Sequence, residues 1–124
     1  MAEIFLKEES YKLIGICKEL HRELGLGFKE VIYKDALEIE LGNNNIPFIR
    51  EKLHKVEHKG VPLLHKFSAD FIVYDAIIIE IKSASMIVDR FIAQTINYLK
   101  DSGLKLGIKA NFGEKSFTYK RIVF

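Results

Sequence analysis

Residues 68–83 read SADFIVYDAIIIEIKS, and they restrict the fold more than any other stretch of the chain. β-Branched and aromatic residues on either side of a central YDA make the run a hairpin of two buried strands. It nevertheless carries Asp70, Glu80 and Lys82. Charged side chains are seldom buried unless they are paired or hold a metal. These three residues therefore either lie at a solvated hairpin end, with Glu80 and Lys82 as a surface pair, or form a site.

Parity limits the second alternative. Side chains alternate along a strand, so Glu80 and Lys82 share a face. Asp70 joins them only if the hairpin is centred on Asp75, with an odd loop such as residues 74–76. An even loop without a bulge sends the carboxylates to opposite faces. Two carboxylates on one patch repel each other, and a divalent cation removes the repulsion. Oxygen-only ligands favour Mg2+ or Mn2+ over zinc. Of the neighbouring residues, Lys82 is the built-in counter-charge.

The periodicity changes on both sides of the hairpin. Residues 8–24 repeat apolar positions at helical steps (Leu13, Cys17, Leu20 and Leu24, widened by Ile14 and Ile16), and GLG at 25–27 stops them. A second helix is expected over about 28–41, ended by Gly42. Strand-like segments follow at 46–57 and 61–73, joined by a turn at HKG, and then AIIIEI at 76–81. A third helix, 87–101, buries Phe91, Ile92, Thr95, Ile96 and Leu99 and ends before Gly103. Strands at 105–112 and 116–124 close the chain, with a turn at 113–115. The order αα-βββ-α-ββ implies an α/β protein. Its strand–helix–strand unit gives one parallel pair within a mixed sheet.

A length of 124 residues suits one domain. A net charge of +2 neither demands nor excludes nucleic acid. The single cysteine, Cys17, excludes an internal disulfide and suits a reducing cytoplasm. The acidic start MAEIFLKEES does not read as a signal peptide, and no apolar run is long enough to span a bilayer.

Three further features bear on the site. Glu30 borders the apolar side of the second helix, where it either meets the helix macrodipole or joins the carboxylates. Gln94 and Tyr98 stack at i and i+4 beside the buried stripe of the third helix, where they either face solvent or brace a polar site. His21 lies one turn after Cys17. That pair lacks two ligands for a metal, so a packing histidine is the better reading.

GFKEVIY at 27–33 fits G-x-x-E-x-x-Y, the signature of the GxxExxY proteins within the PD-(D/E)xK nuclease superfamily, and nearly the whole chain resembles that family. HRELGLGFKEVIYKDALEIEL (21–41) is similar to its first block, ADFIVYDAIIIEIKS to its catalytic hairpin, AQTINYLK (93–100) to its third-helix block and ANFGEKSFTYKRIV (110–123) to its closing strand pair. Gln94 and Tyr98 match the Q-x-x-x-Y motif of RecB-like nucleases. Two positions depart from the pattern: Ala69 stands where proline is usual, and Lys109 interrupts a strand that is usually apolar. The resemblance implies a restriction-endonuclease-like αβββαβ core with an extra N-terminal helix. It also implies a nuclease that uses Mg2+ or Mn2+ to hydrolyse phosphodiester bonds in DNA. By position, Glu30, Asp70 and Glu80 are the metal carboxylates, joined by the backbone carbonyl of Ile81. Lys82 is the catalytic lysine, and Gln94 and Tyr98 are the supporting pair.

Phosphate contacts are expected from Arg50, Lys52, Lys55, Lys59 and Lys66, with His54, His58 and His65 among them. A domain this small leaves room for a homodimer or a partner protein to complete the grip on substrate. The alternative is a non-catalytic module for nucleic acid or protein that keeps the fold. The acid–acid–lysine set favours the enzyme, because a pure binder has no use for adjacent carboxylates near phosphate.

Overall fold

The computed structural model describes residues 6–124, so the first half of the acidic N-terminal stretch lies outside the described residues. Two helices open the chain, α1 (Lys7–Leu24) and α2 (Glu30–Asn43). The first buries Leu13, Cys17, Leu20 and His21, and the second buries Tyr33, Leu37 and Leu41. Between them the chain turns through Gly25 and Gly27, whose φ values of 71° and 102° suit a residue without a Cβ. Gly42 does not end α2, as its sequence position suggested. The helix continues to Asn43, and Asn44 closes it by donating both its backbone N–H and its side-chain amide to the carbonyl of Glu40.

Seven strands follow: β1 (Phe48–His54), β2 (Glu57–His58), β3 (Val61–Pro62), β4 (Phe67–Val73), β5 (Ile77–Lys82), β6 (Leu106–Asn111) and β7 (Thr118–Val123). Helix α3 (Asp89–Ser102) lies between β5 and β6, and Gly103 ends it in the left-handed conformation. Five strands form one sheet in the order β1-β4-β5-β6-β7. Only β5 and β6 are parallel, as the crossover through α3 requires. This is an α/β fold with a mixed central sheet flanked by helices, consistent with a restriction-endonuclease-like core.

The expected hairpin of 46–57 with 61–73 is shorter than the sequence suggested. Phe48 pairs with Val73 and His54 with Phe67, where the ladder stops. The residues beyond form a separate two-residue ladder, β2 with β3, turning at Lys59 and Gly60. Pro62 has no N–H to extend that ladder, and residues 57–66 are all exposed.

The hairpin of β4 and β5 has the odd loop that the site requires. Phe71 pairs with Ile79, Ile72 with Ile78 and Val73 with Ile77, which centres the turn on Asp75. Tyr74 and Asp75 both adopt positive φ, and the N–H of Ala76 donates to the carbonyl of Val73. One sheet face packs Phe71, Ile79 and Ile108 against Leu13, Tyr33 and Leu37 of α1 and α2. The other packs Ile72 and Ile78 against Tyr98 and Leu99 of α3.

A brace crosses from the end of β6 to the end of β5. The carbonyl oxygen of the Asn111 side chain accepts from the N–H of Ala84 at 3.0 Å and of Gly113 at 3.1 Å. Its amide donates to the carbonyl of Ala84 at 2.9 Å and to the carboxylate of Glu114 at 2.8 Å. A Cβ at residue 113 would overlap the backbone of Ser83 and Ala84. Gly113→Ala should therefore destabilise the protein by about 1–3 kcal/mol, read as a lower urea midpoint at unchanged slope. A midpoint equal to the parent's would show that the brace yields freely.

Candidate active site

The carboxylates occupy the sheet face covered by α3. Asp70 and Glu80 stand opposite each other across the hairpin and bind each other's strand. The Asp70 carboxylate accepts from the N–H of Ile81 at 2.7 Å, and the Glu80 carboxylate accepts from the N–H of Asp70 at 3.3 Å. Beside them opens a cleft of about 280 Å³, lined by Glu30, Phe67, Ser68, Asp70, Glu80, Ile81, Lys82, Gln94, Asn97 and Tyr98. All six residues expected to act, together with Ile81, thus line one cavity. Glu30, the first residue of α2, is tied to the end of β5, where its carboxylate accepts from the N–H of Ser83 at 3.2 Å.

Lys82 is not the only counter-charge, as the sequence had suggested. Lys34, one turn along α2 from Glu30, puts its ammonium 3.2 Å from Asp70 and 2.6 Å from Glu51. Lys109, across the parallel ladder from Glu80, puts its ammonium 3.5 Å from that carboxylate. The Lys82 ammonium stands 4.7 Å over the ring of Phe91. The Lys109 side chain is 0% exposed, so the strand it interrupts is buried throughout. Burial of Glu80 pushes its pKa up against the attraction of Lys109, with Asp70 adding to the rise. Burial lowers the pKa of Lys109 despite Glu80 beside it. At Lys34 burial works the same way, but the bonds to Glu51 and Asp70 prevail and the pKa is raised. Tyr98 is pushed well up, first by burial and then by the charges of Glu80 and Asp70, so its hydroxyl keeps its proton.

Among the described residues, no three His, Cys, Asp or Glu side chains come together as a ready cation site. Glu30 shares the cleft but is held to Ser83, which leaves Asp70 and Glu80 as the closest acids. The donors nevertheless fit a hard dication. Two carboxylates and a backbone carbonyl are all-oxygen ligands, and Asp70 already takes a cation as partner in the form of the Lys34 ammonium.

Some expected partners have other roles. Arg50 is held by Asp35 and Glu38 of α2, each at 2.8 Å, so it fastens β1 to that helix. His54 packs against Phe67 and Tyr98 and lies 3.5 Å from Asp101. Lys52, Lys55, His58, Lys59, His65 and Lys66 are exposed along and beyond β1. His21 packs as expected, stacked on Phe112 and 2.8 Å from the carbonyl of Glu114. Burial pushes the Cys17 thiol up to about 12.

Sequence reasoning missed Lys34, Glu51 and Lys109. Lys109 did leave a signal, as the one charge in an apolar strand. Glu51 left none: it takes a left-handed φ of 58° in the middle of β1, where a non-glycine residue is strained.

The raised pKa of Glu80 has a definite sign. The folded protein holds that proton more tightly than the unfolded chain does. Stability is therefore lost as pH rises from the ordinary value of 4.5 through the folded one. Relative to Glu80→Gln, the metal-free parent should lose stability over that window. At neutral pH the double variant Glu80→Met/Lys109→Met should be more stable than the parent by about 1–4 kcal/mol. Urea unfolding in EDTA from pH 4 to 8 measures both effects, and a parent more stable than both variants at pH 7 would contradict them.

A family model of the PD-(D/E)XK nuclease superfamily matches residues 7–122. Among solved structures, the chain is similar to the one titled "Crystal structure of SSO0001", at 25% identity and a TM-score of 0.59. That match covers 74% of this chain and 49% of the other, so the chain spans about half the length of that relative. No curated protein matches. With that family model covering residues 7–122, nearly all of the chain, the protein belongs to the PD-(D/E)XK nuclease superfamily.

Proposed function

We propose that the protein is a Mg2+- or Mn2+-dependent nuclease that hydrolyses phosphodiester bonds in DNA, within the GxxExxY branch of its superfamily. The observation that carries this reading is the convergence of Asp70, Glu80 and Lys82 in one cleft, with Gln94 and Tyr98 on its helical wall. The GxxExxY residues have fitting roles. Gly27 makes the turn into α2, and Glu30 reaches the cleft. Tyr33 pins the helix by stacking on Phe112 and donating its hydroxyl to the carbonyl of Gly25.

The dication would be held by Asp70, Glu80 and the Ile81 carbonyl, with Glu30 at its edge. The chemistry supplied by a bound Mg2+ or Mn2+ is Lewis acidity toward the scissile phosphate and a more acidic attacking water. The chain's own residues do the rest. Lys82 offers its ammonium to the attacking water or to charge gathering on phosphate, released from the face of Phe91. Tyr98 keeps a proton to donate, and the exposed amide of Gln94 can hold a phosphate oxygen. The exposed lysines and histidines of β1 and the β2–β3 arm hold the nucleic-acid backbone by charge. A second copy of the chain or a partner protein would lengthen that grip.

The test is incubation with plasmid, linear and single-stranded DNA and with RNA, in Mg2+, Mn2+ or EDTA. Cleavage should need the metal and be abolished in Asp70→Asn, Glu80→Gln and Lys82→Ala. In parallel melts, Mn2+ at a hundredfold excess over its dissociation constant should stabilise the parent by about 2.7 kcal/mol. Lys82→Ala should keep that shift and Asp70→Asn should lose it. Binding of nucleic acid without cleavage by the parent in any metal would instead favour the non-catalytic module.

A further inference from the structure

Lys109 is the one fully buried lysine among the described residues, and the mechanism above does not use it. Its ammonium lies 3.5 Å from Glu80 and has no hydrogen-bond partner among the described residues. Its neighbours on the strand, Ile108 and Ala110, pack into the opposite face. An aliphatic residue would serve the sheet as well.

We propose that Lys109 is a positioning residue that stands, as a resident cation, against Glu80, so that the cleft takes one dication only, approached from the side of Asp70. The inference rests on the metal-dependent reading given above and specifies how many ions that site accepts.

The two lysines that neutralise the acids differ in what they can do when a metal arrives. Lys34 is 16% exposed and bridges two carboxylates, with the shorter contact to Glu51. It can give up Asp70 and stay paired, so an incoming dication replaces one positive charge with another. Among the described residues Lys109 has no second carboxylate in contact, and its ammonium is buried, with the ring of Phe91 6.0 Å away. It has nowhere to withdraw. A dication placed against the same carboxylate oxygen would meet a fixed positive charge in a site of low dielectric. Lys82, 4.7 Å from the centre of the same ring, adds to that repulsion.

The test is titration of the full chain with Mn2+, followed by calorimetry and by electron paramagnetic resonance, alongside Lys109→Met and Lys109→Arg. The parent should bind one ion per chain and give the hyperfine pattern of isolated Mn2+. Lys109→Arg should do the same. Lys109→Met should either bind its first ion at least about tenfold more tightly or take a second ion that is spin-coupled to the first. A parent that binds two coupled ions overturns the proposal, whether or not Lys109→Met folds. So does a folded Lys109→Met with the parent's affinity and stoichiometry. These results leave the nuclease reading standing, whereas absence of Mn2+ binding in every protein overturns both.

Discussion

The number of residues in the turn between β4 and β5 decides which face each side chain of the hairpin occupies. With three residues centred on Asp75, Asp70 falls opposite Glu80, and Lys82 follows on the same side. One residue more or fewer would send Asp70 to the face filled by α1 and α2, where a carboxylate has no partner. The turn is held in place by strained backbone at Tyr74 and Asp75, both in the left-handed region. Local strain here is the condition for a shared acidic cleft.

Given that cleft, the remaining elements arrange charge around it. Burial works against the charges of Glu80, Lys109 and Lys34, and the ammonium groups around the acids differ in mobility: Lys34 on a helix, Lys82 against an aromatic ring and Lys109 locked in a strand. A hydrophobic pair in place of Glu80 and Lys109 would make a more stable sheet. Keeping a charged pair at the centre of the molecule is reasonable where a site needs it and not where only folding is at stake.

Much of this was legible in the sequence because it rests on periodicity and parity. The three helices and the parallel pair follow from spacings of two or of three to four residues, parity set the odd turn as the condition for a shared face, and the meeting of Asp70, Glu80, Lys82, Gln94 and Tyr98 was implied by the family resemblance. What escaped depends on contacts between distant segments. Arg50 looked like a phosphate contact because nothing local marks Asp35 and Glu38 as its partners. Nothing local marks Lys34 either, since it is the packing of α2 that brings its ammonium to Asp70 and Glu51. The early end of the β1–β4 ladder was hidden as well, because nothing in the sequence after His54 marks where pairing with β4 stops. Gly42 misled for a different reason. A glycine permits a helix to end, but the capping bonds of Asn44 decide where it does.

The brace of Asn111 and Gly113 on residues 83–84 has a consequence for how the protein is made. The hairpin bearing the acids leaves the ribosome well before the strand that supports it. Until residues 106–118 have emerged, β5 has no parallel neighbour, Glu80 has no ammonium from Lys109, and the segment after Lys82 is not clamped. Domains tend to fold as units as they emerge. A nascent chain therefore carries its acids and its lysine for some time without an assembled cleft, which forms only once residues 106–118 have emerged.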